Sequence, residues 1–203
     1  MEEAKKKLRW NAQKTWTVVG LGMLTALIIV LQVFASSISL GFASITLTLV
    51  PIIVGAALFG WKAGVWLGFA FGMVVLFTPD GAFFMGMNVP GTIIVVLLKG
   101  TLAGLCASVV YNLLAKKNQY AAVITAGVVA PVVNTGIFLI GCSVFFMDYL
   151  NAVATDQGVS VIQYIIVTII LKNFLIELAI NMILASGIVM IINVVQKHIV
   201  KSK

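Results

Sequence analysis

Apolar residues run along this chain in long blocks with few interruptions, and the blocks predict the architecture. The first extends from Thr17 to Ala35, about 19 residues, enough for a helix to cross a bilayer. A short segment with Ser36, Ser37, Ser39 and Gly41 follows. The second block, Ile45 to Phe59, contains Pro51 and ends at the Gly60-Trp61-Lys62 turn. The third, Ala63 to Phe77, closes at Thr78-Pro79-Asp80-Gly81, and Ala82 to Met87 reads as a short interfacial piece. The fourth runs from Val89 to Leu114 and stops at Lys116-Lys117-Asn118. The fifth, Ala121 to Phe146, carries Pro131 inside it. A polar loop over Asp148 to Ser160 leads to the sixth, Ile162 to Val195, which is longer than one crossing needs and so tilts or projects from the membrane.

These runs are too long, and too apolar on all sides, for barrel strands of about 10 residues with alternating polarity. The expected fold is all-α: a polytopic membrane protein of six transmembrane helices. It forms a single membrane domain over residues 1–203, with a basic segment at 1–15, the bundle at 16–195 and a basic tail at 196–203. Blocks two and three are short, about 15 residues each, so neighbours must bury them. A proline inside a span needs compensating backbone partners, which suits helices that line a cavity.

Composition agrees. Hydrophobic residues make up 62% of the chain and charged residues 9%, against about 25% charged in a soluble domain. A net charge of +7 would suggest nucleic acid in a soluble protein, but the placement of the cations points to a membrane. With the N-terminus inside, eleven of the 13 Lys and Arg residues fall in cytoplasmic segments, including Lys14, Lys62, Lys116, Lys117 and Lys197. The opposite loops hold Asp80, Asp148 and Asp156 and no cation. This positive-inside pattern predicts both termini in the cytoplasm. Lys5 to Arg9 resemble the start of a signal peptide, but the apolar run that follows lacks a small-residue cleavage site and is read as the first helix.

Three charges remain within the spans: Lys99, Lys172 and Glu177. Each costs at least about 2.5 kcal/mol at a helix centre, so each is expected to face protein or water. Lys99 and Lys172 both lie about 10 residues into their spans, roughly 15 Å deep, and Asn134 reaches a comparable depth. Asn173, Glu177 and Asn181 follow i, i+4, i+8 spacing and form one polar stripe. On an α-helix Lys172 would point roughly 140° away from Glu177, which leaves Lys99 or a partner protein to pair with the carboxylate. Two cations against one anion favour an anionic or strongly hydrogen-bonding ligand. The same residues could instead hold helices together.

Small-residue series recur: Gly22 with Ala26, Gly64-Gly68-Gly72, and Gly100 with Gly104. They suit close helix packing or docking to another membrane protein. The aromatics Phe83, Phe84, Phe145, Phe146, Tyr149 and Tyr164 gather near the outer ends, as interfacial anchors or pocket walls. Catalytic patterns are missing. His198 is the single histidine, Lys99-Gly100-Thr101 lacks the rest of a phosphate loop, and Cys106 and Cys142 have no metal-ligand spacing. The chain is expected not to be an enzyme and to need no cofactor.

Several segments resemble the substrate-binding S component of energy-coupling factor (ECF) vitamin transporters. They are Gly41-Phe42-Ala43-Ser44-Ile45-Thr46-Leu47-Thr48, Pro51 to Gly60, Lys62-Ala63-Gly64, Lys99-Gly100-Thr101-Leu102-Ala103-Gly104 and Pro131-Val132-Val133-Asn134-Thr135-Gly136. The likeness spans about residues 15–195. It implies capture of a vitamin-like solute outside a bacterial plasma membrane, then association with a transmembrane coupling subunit and two cytoplasmic ATPases. Toppling of the S component would then expose the site inward. The family docks its coupling subunit through an Ala-x-x-x-Ala motif on the first helix, where Gly22 and Ala26 stand here. Within the family the chain is most similar to the pantothenate type, whose ligand lies near an aromatic, an Asn on the fifth helix and a cation on the fourth. Asn134 and Lys99 match the last two, with Lys172 a secondary electrostatic contributor. S components for other vitamins or precursors share the fold, and fold does not fix ligand. A self-sufficient secondary transporter or channel, with Glu177 as a proton site, and a ligand-free assembly protein are the competing classes.

Overall fold

The computed structural model describes residues 2–37 and 48–201, with side chains at 14–36, 48–167, 170–171 and 174–195. The described residues are almost wholly helical. In chain order they form α1 (Glu2–Ser37), α2 (Leu49–Phe59), α3 (Trp61–Leu76), α4 (Pro79–Met85), α5 (Val89–Leu114), α6 (Gln119–Phe145), α7 (Met147–Asp156) and α8 (Val161–Tyr164). A π-helical segment, Ile165–Phe174, then leads into α9 (Leu175–Lys201).

Local chemistry explains the boundaries. Asn88 caps α5, accepting from the Gly91 N–H at 2.9 Å, and Pro90 sits in the first turn where its missing N–H costs nothing. Asn118 caps α6 by accepting from the N–H groups of Tyr120 (2.9 Å) and Ala121 (3.1 Å). Gly60 joins α2 to α3 at φ +86°, a conformation L side chains avoid. Thr78 caps α4, whose Pro79 opens the helix. Pro131 lies buried within α6 and cannot donate to the Gly127 carbonyl one turn earlier.

Four helical stretches among the described residues are long and apolar enough to cross a membrane: Lys14–Ser36, Val89–Leu114, Gln119–Phe145 and Leu175–Val195. Helices α3 and α4, bent by 71° at their junction, count as a fifth if taken as one span. Helix α2 is apolar but has 11 residues, roughly 16 Å of rise and half a hydrocarbon core. The second expected span, Ile45–Phe59, begins on residues outside those described.

Packing is set by missing side chains. A Cβ on Gly64, Gly68 or Gly72 of α3 would collide with the α5 backbone at Gly104, Gly100 and Val96 respectively. The pairing steps by four in opposite directions, so α3 and α5 run antiparallel with backbones in contact, the geometry that small-xxx-small series permit. Gly91 against Phe145 and Val95 against Gly141 fix α5 and α6 as a second antiparallel pair. Gly20 against Phe59 and Leu24 against Gly55 do the same for α1 and α2. These registers place Lys14, Lys62, Lys116 and Lys117 at one end of the bundle, and Asp80 and Asp148 at the other.

Two apolar clusters result. The larger joins Ile28, Ile52, Ile53, Leu67, Phe71, Val123, Ile188 and Ile192 from α1, α2, α3, α6 and α9. The smaller, at the Asp80 end, joins Phe84, Val95, Phe138, Cys142, Phe146, Leu150 and Tyr164. The polar loop expected over Asp148 to Ser160 is largely the amphipathic helix α7, which buries Leu150 and Ala154 in this second cluster.

Candidate functional site

Lys99 projects from the middle of α5, partly buried. Its Nζ stands 5.1 Å from the Phe138 ring centroid on α6 and 5.9 Å from that of Phe71 on α3. Such contacts give a cation about 0.5–2 kcal/mol each as solvent is excluded, which compensates part of the cost of its depth. Extending the Gly91/Phe145 and Val95/Gly141 register by one further step puts Lys99 level with Ile137. Asn134 lies three residues deeper, roughly 4.5 Å along the axis. It shares a stripe of α6 with Phe138, one turn away.

Asn134 is 4% exposed, and its Oδ1 has no hydrogen-bond partner among the described residues. A buried acceptor left in this state costs about 1–3 kcal/mol. An unpaired acceptor one turn from the ring under a cation is chemically complementary to a group that brings a donor and negative charge.

The carboxylate nearest in effect to Lys99 is Glu177 of α9, 1% exposed, followed by Asp80 of α4; both act on the ammonium electrostatically. Asn181 donates its side-chain N–H to the Glu177 backbone carbonyl at 3.0 Å, so two members of the expected polar stripe are buried together. The third, Asn173, and the predicted site residue Lys172 fall on the π segment, and their side chains lie outside the described residues. The 140° separation between Lys172 and Glu177 assumed α-helical turns throughout. Residues 165–174 instead follow an i→i+5 pattern.

A cavity of about 450 Å³ opens between α4, α7 and α8, lined by Pro79, Asp80, Phe83, Tyr149, Val153, Gln157 and Tyr164. Its size is within the range for small-molecule pockets. Neither Lys99 nor Asn134 lines it. Three of the aromatics flagged in the sequence, Phe83, Tyr149 and Tyr164, form its wall, whereas Phe84 and Phe146 are buried beneath it. Helix α7 falls where the sequence predicts a polar loop, Asp148 to Ser160. The apolar spacing of Met147, Leu150, Val153 and Ala154 was the available signal.

At the other predicted surface, Gly22 and Ala26 occupy an exposed face of α1, and a Cβ at Gly22 would meet nothing within 4 Å. Trp16, Val18, Val19, Met23 and Val30 are exposed on the same helix.

Described residues that are almost wholly helical, with several membrane-length apolar helices, mark a multi-pass membrane protein, and polar side chains inside such helices suit a transport role. The profile of the ECF transporter substrate-specific component family matches residues 17–192, and the chain belongs to that family. Its members are the substrate-binding subunits of importers, paired with a transmembrane coupling subunit and ATPases that supply the energy. No curated protein and no solved structure matches the chain.

Proposed function

We propose that this protein captures a small water-soluble vitamin, with pantothenate the leading ligand, for an ECF importer in a bacterial plasma membrane. In this reading the chain crosses the membrane six times with both termini in the cytoplasm. The segregation of Lys14, Lys62, Lys116 and Lys117 from Asp80 and Asp148 supports that orientation. Lys99 meets the ligand's carboxylate, and Asn134 accepts from its hydroxyl or amide N–H. Lys172 adds positive potential from the sixth span. Gly22 and Ala26 form the surface on which the coupling subunit docks.

The observation that carries the reading is the unsatisfied Oδ1 of Asn134, buried one turn from the ring that holds Lys99. Helix glue would have its acceptor paired. A carboxylate replacing Phe138 as the partner of Lys99 gains a charge-assisted hydrogen bond, and the same ligand supplies the donor that Asn134 lacks.

Calorimetry on the purified, detergent-solubilised chain tests this with a vitamin panel led by pantothenate. Saturable binding of pantothenate, lost in Lys99→Met with folding intact, is expected. Binding of a different vitamin would keep the capture role and discard the ligand. No binding across the panel by folded protein would shift the weight to a secondary transporter.

A further inference from the structure

Two sites described above are joined by a continuous line of rings. Phe83, on the cavity wall, meets Tyr149 edge-on at 5.5 Å and Phe84 at 5.4 Å. Phe84 meets Phe138 edge-on at 5.5 Å, and Phe138 carries Lys99 on its face at 5.1 Å. Phe84 is therefore the one ring in this line that touches both the cavity wall and the floor where the cation sits. It is 6% exposed. The same cluster holds the buried thiol of Cys142, one turn from Phe138 along α6 towards the Asp80 end.

Asp80 marks one end and Lys99 the other, where the buried Glu177 also acts on the ammonium. Asp80 lines the cavity together with Tyr149, Gln157 and Tyr164. Lys99 stands at the inner end with the open acceptor of Asn134. Asp80 is also close enough for its charge to act on Lys99. A single chamber with these poles would select a ligand that carries an anion at one end and hydrogen-bond donors at the other.

We propose that the cavity between α4, α7 and α8 and the Lys99–Asn134 layer are two halves of one ligand site, closed from each other by Phe84. Its ligand is a carboxylate whose far end bears hydroxyl or amine donors. The carboxylate passes Phe84 to reach Lys99, while the donor end stays in the cavity on Asp80. Asp80 is then a specificity-determining residue, because a carboxylate there repels a ligand anionic at both ends and accepts from one with donors. The proposal rests on the reading of Lys99 as the anion contact and adds the second pole and the gate.

Cys142 reports on the gate without any ligand. In a Cys106→Ser background, in detergent, the rate of labelling by a hydrophilic maleimide is measured. Phe84→Ala should speed labelling of Cys142 about tenfold or more, by opening a local path to water. Phe83→Ala, on the wall, and Leu150→Ala, elsewhere in the same cluster, should leave it slow. Should Phe84→Ala fail to fold, Phe84→Leu serves, with a smaller acceleration in the same direction. Unchanged labelling in the folded Phe84 variants, or equal acceleration in Leu150→Ala, overturns the gate whatever the protein binds.

The second arm uses pantothenate, which has a carboxylate at one end and two hydroxyls at the other. Asp80→Asn should weaken its binding about tenfold or more, the scale of a hydrogen bond to a charged group. Pantothenate binding that depends on Lys99 but ignores Asp80→Asn overturns the bipolar ligand. If the wild-type chain binds no pantothenate, that ligand class falls together with the vitamin assignment, and the labelling alone decides the two-part site.

Discussion

Replacing Asn134 by leucine should make the ligand-free protein more stable while abolishing ligand binding. The two side chains share a branched outline, but leucine is the bulkier, so tighter packing around Asn134 offsets part of the gain. What changes is the buried Oδ1, which has no partner among the described residues. Leaving such an acceptor dry costs about 1–3 kcal/mol, and removing it recovers most of that. Asn134 is 4% exposed, so the new methyl groups are buried nearly in full. A net gain of about 1 kcal/mol or more is expected, equivalent to roughly 2–4 °C in melting temperature for a chain of this length. Thermal unfolding of the detergent-solubilised protein, followed by intrinsic fluorescence without ligand, reads the shift. Calorimetry on the same preparation reads binding. A variant that melts several degrees lower would refute the reasoning. It would show that the amide holds helices together, and that its acceptor is satisfied in the membrane by a group other than ligand.

Further outcomes follow from the same geometry. Gly68→Val should destabilise the fold by about 1–3 kcal/mol or more, since its branches press on the Gly100 backbone, which cannot yield as a side chain can; melting temperature checks it, with Gly22→Ala as the near-neutral control. Gly22→Leu should leave ligand binding by the isolated chain unchanged but lower uptake by cells that co-express the coupling subunit and ATPases, because it alters only the exposed face of α1; undiminished uptake would remove Gly22 from the docking surface. Lys99→Arg should retain more binding than Lys99→Met, since charge is kept while ring contact and reach change; equal loss in both would point to a packing role for the stem.

Sequence pattern located the helices where local chemistry marks their ends. Helix α5 begins and stops at the expected residues because Asn88, Pro90 and the Lys116-Lys117-Asn118 turn are all local signals. Helix α7 was missed because its polar residues Asp148, Asn151, Thr155 and Asp156 dominate a short stretch, and its apolar face gains meaning only against Phe146 and Tyr164. The π segment has no local signature that separates an i→i+5 ladder from an α-helix, so the sequence predicts α-helical turns there. Depth alone placed Lys99 and Asn134 in one layer. The Phe71 and Phe138 cradle needed the register of α3, α5 and α6, which the Gly68–Gly100 and Val95–Gly141 contacts set in three dimensions. The cavity between α4, α7 and α8 is likewise a tertiary feature, built from residues far apart in the chain.

The most direct test of the capture site is a structure of the protein with pantothenate bound. The account predicts the ligand's carboxylate within hydrogen-bonding distance of Lys99 Nζ, about 2.7–3.2 Å, with a ligand donor on Asn134 Oδ1. A ligand found elsewhere, with Lys99 still on Phe138 and Asn134 still unsatisfied, would contradict it.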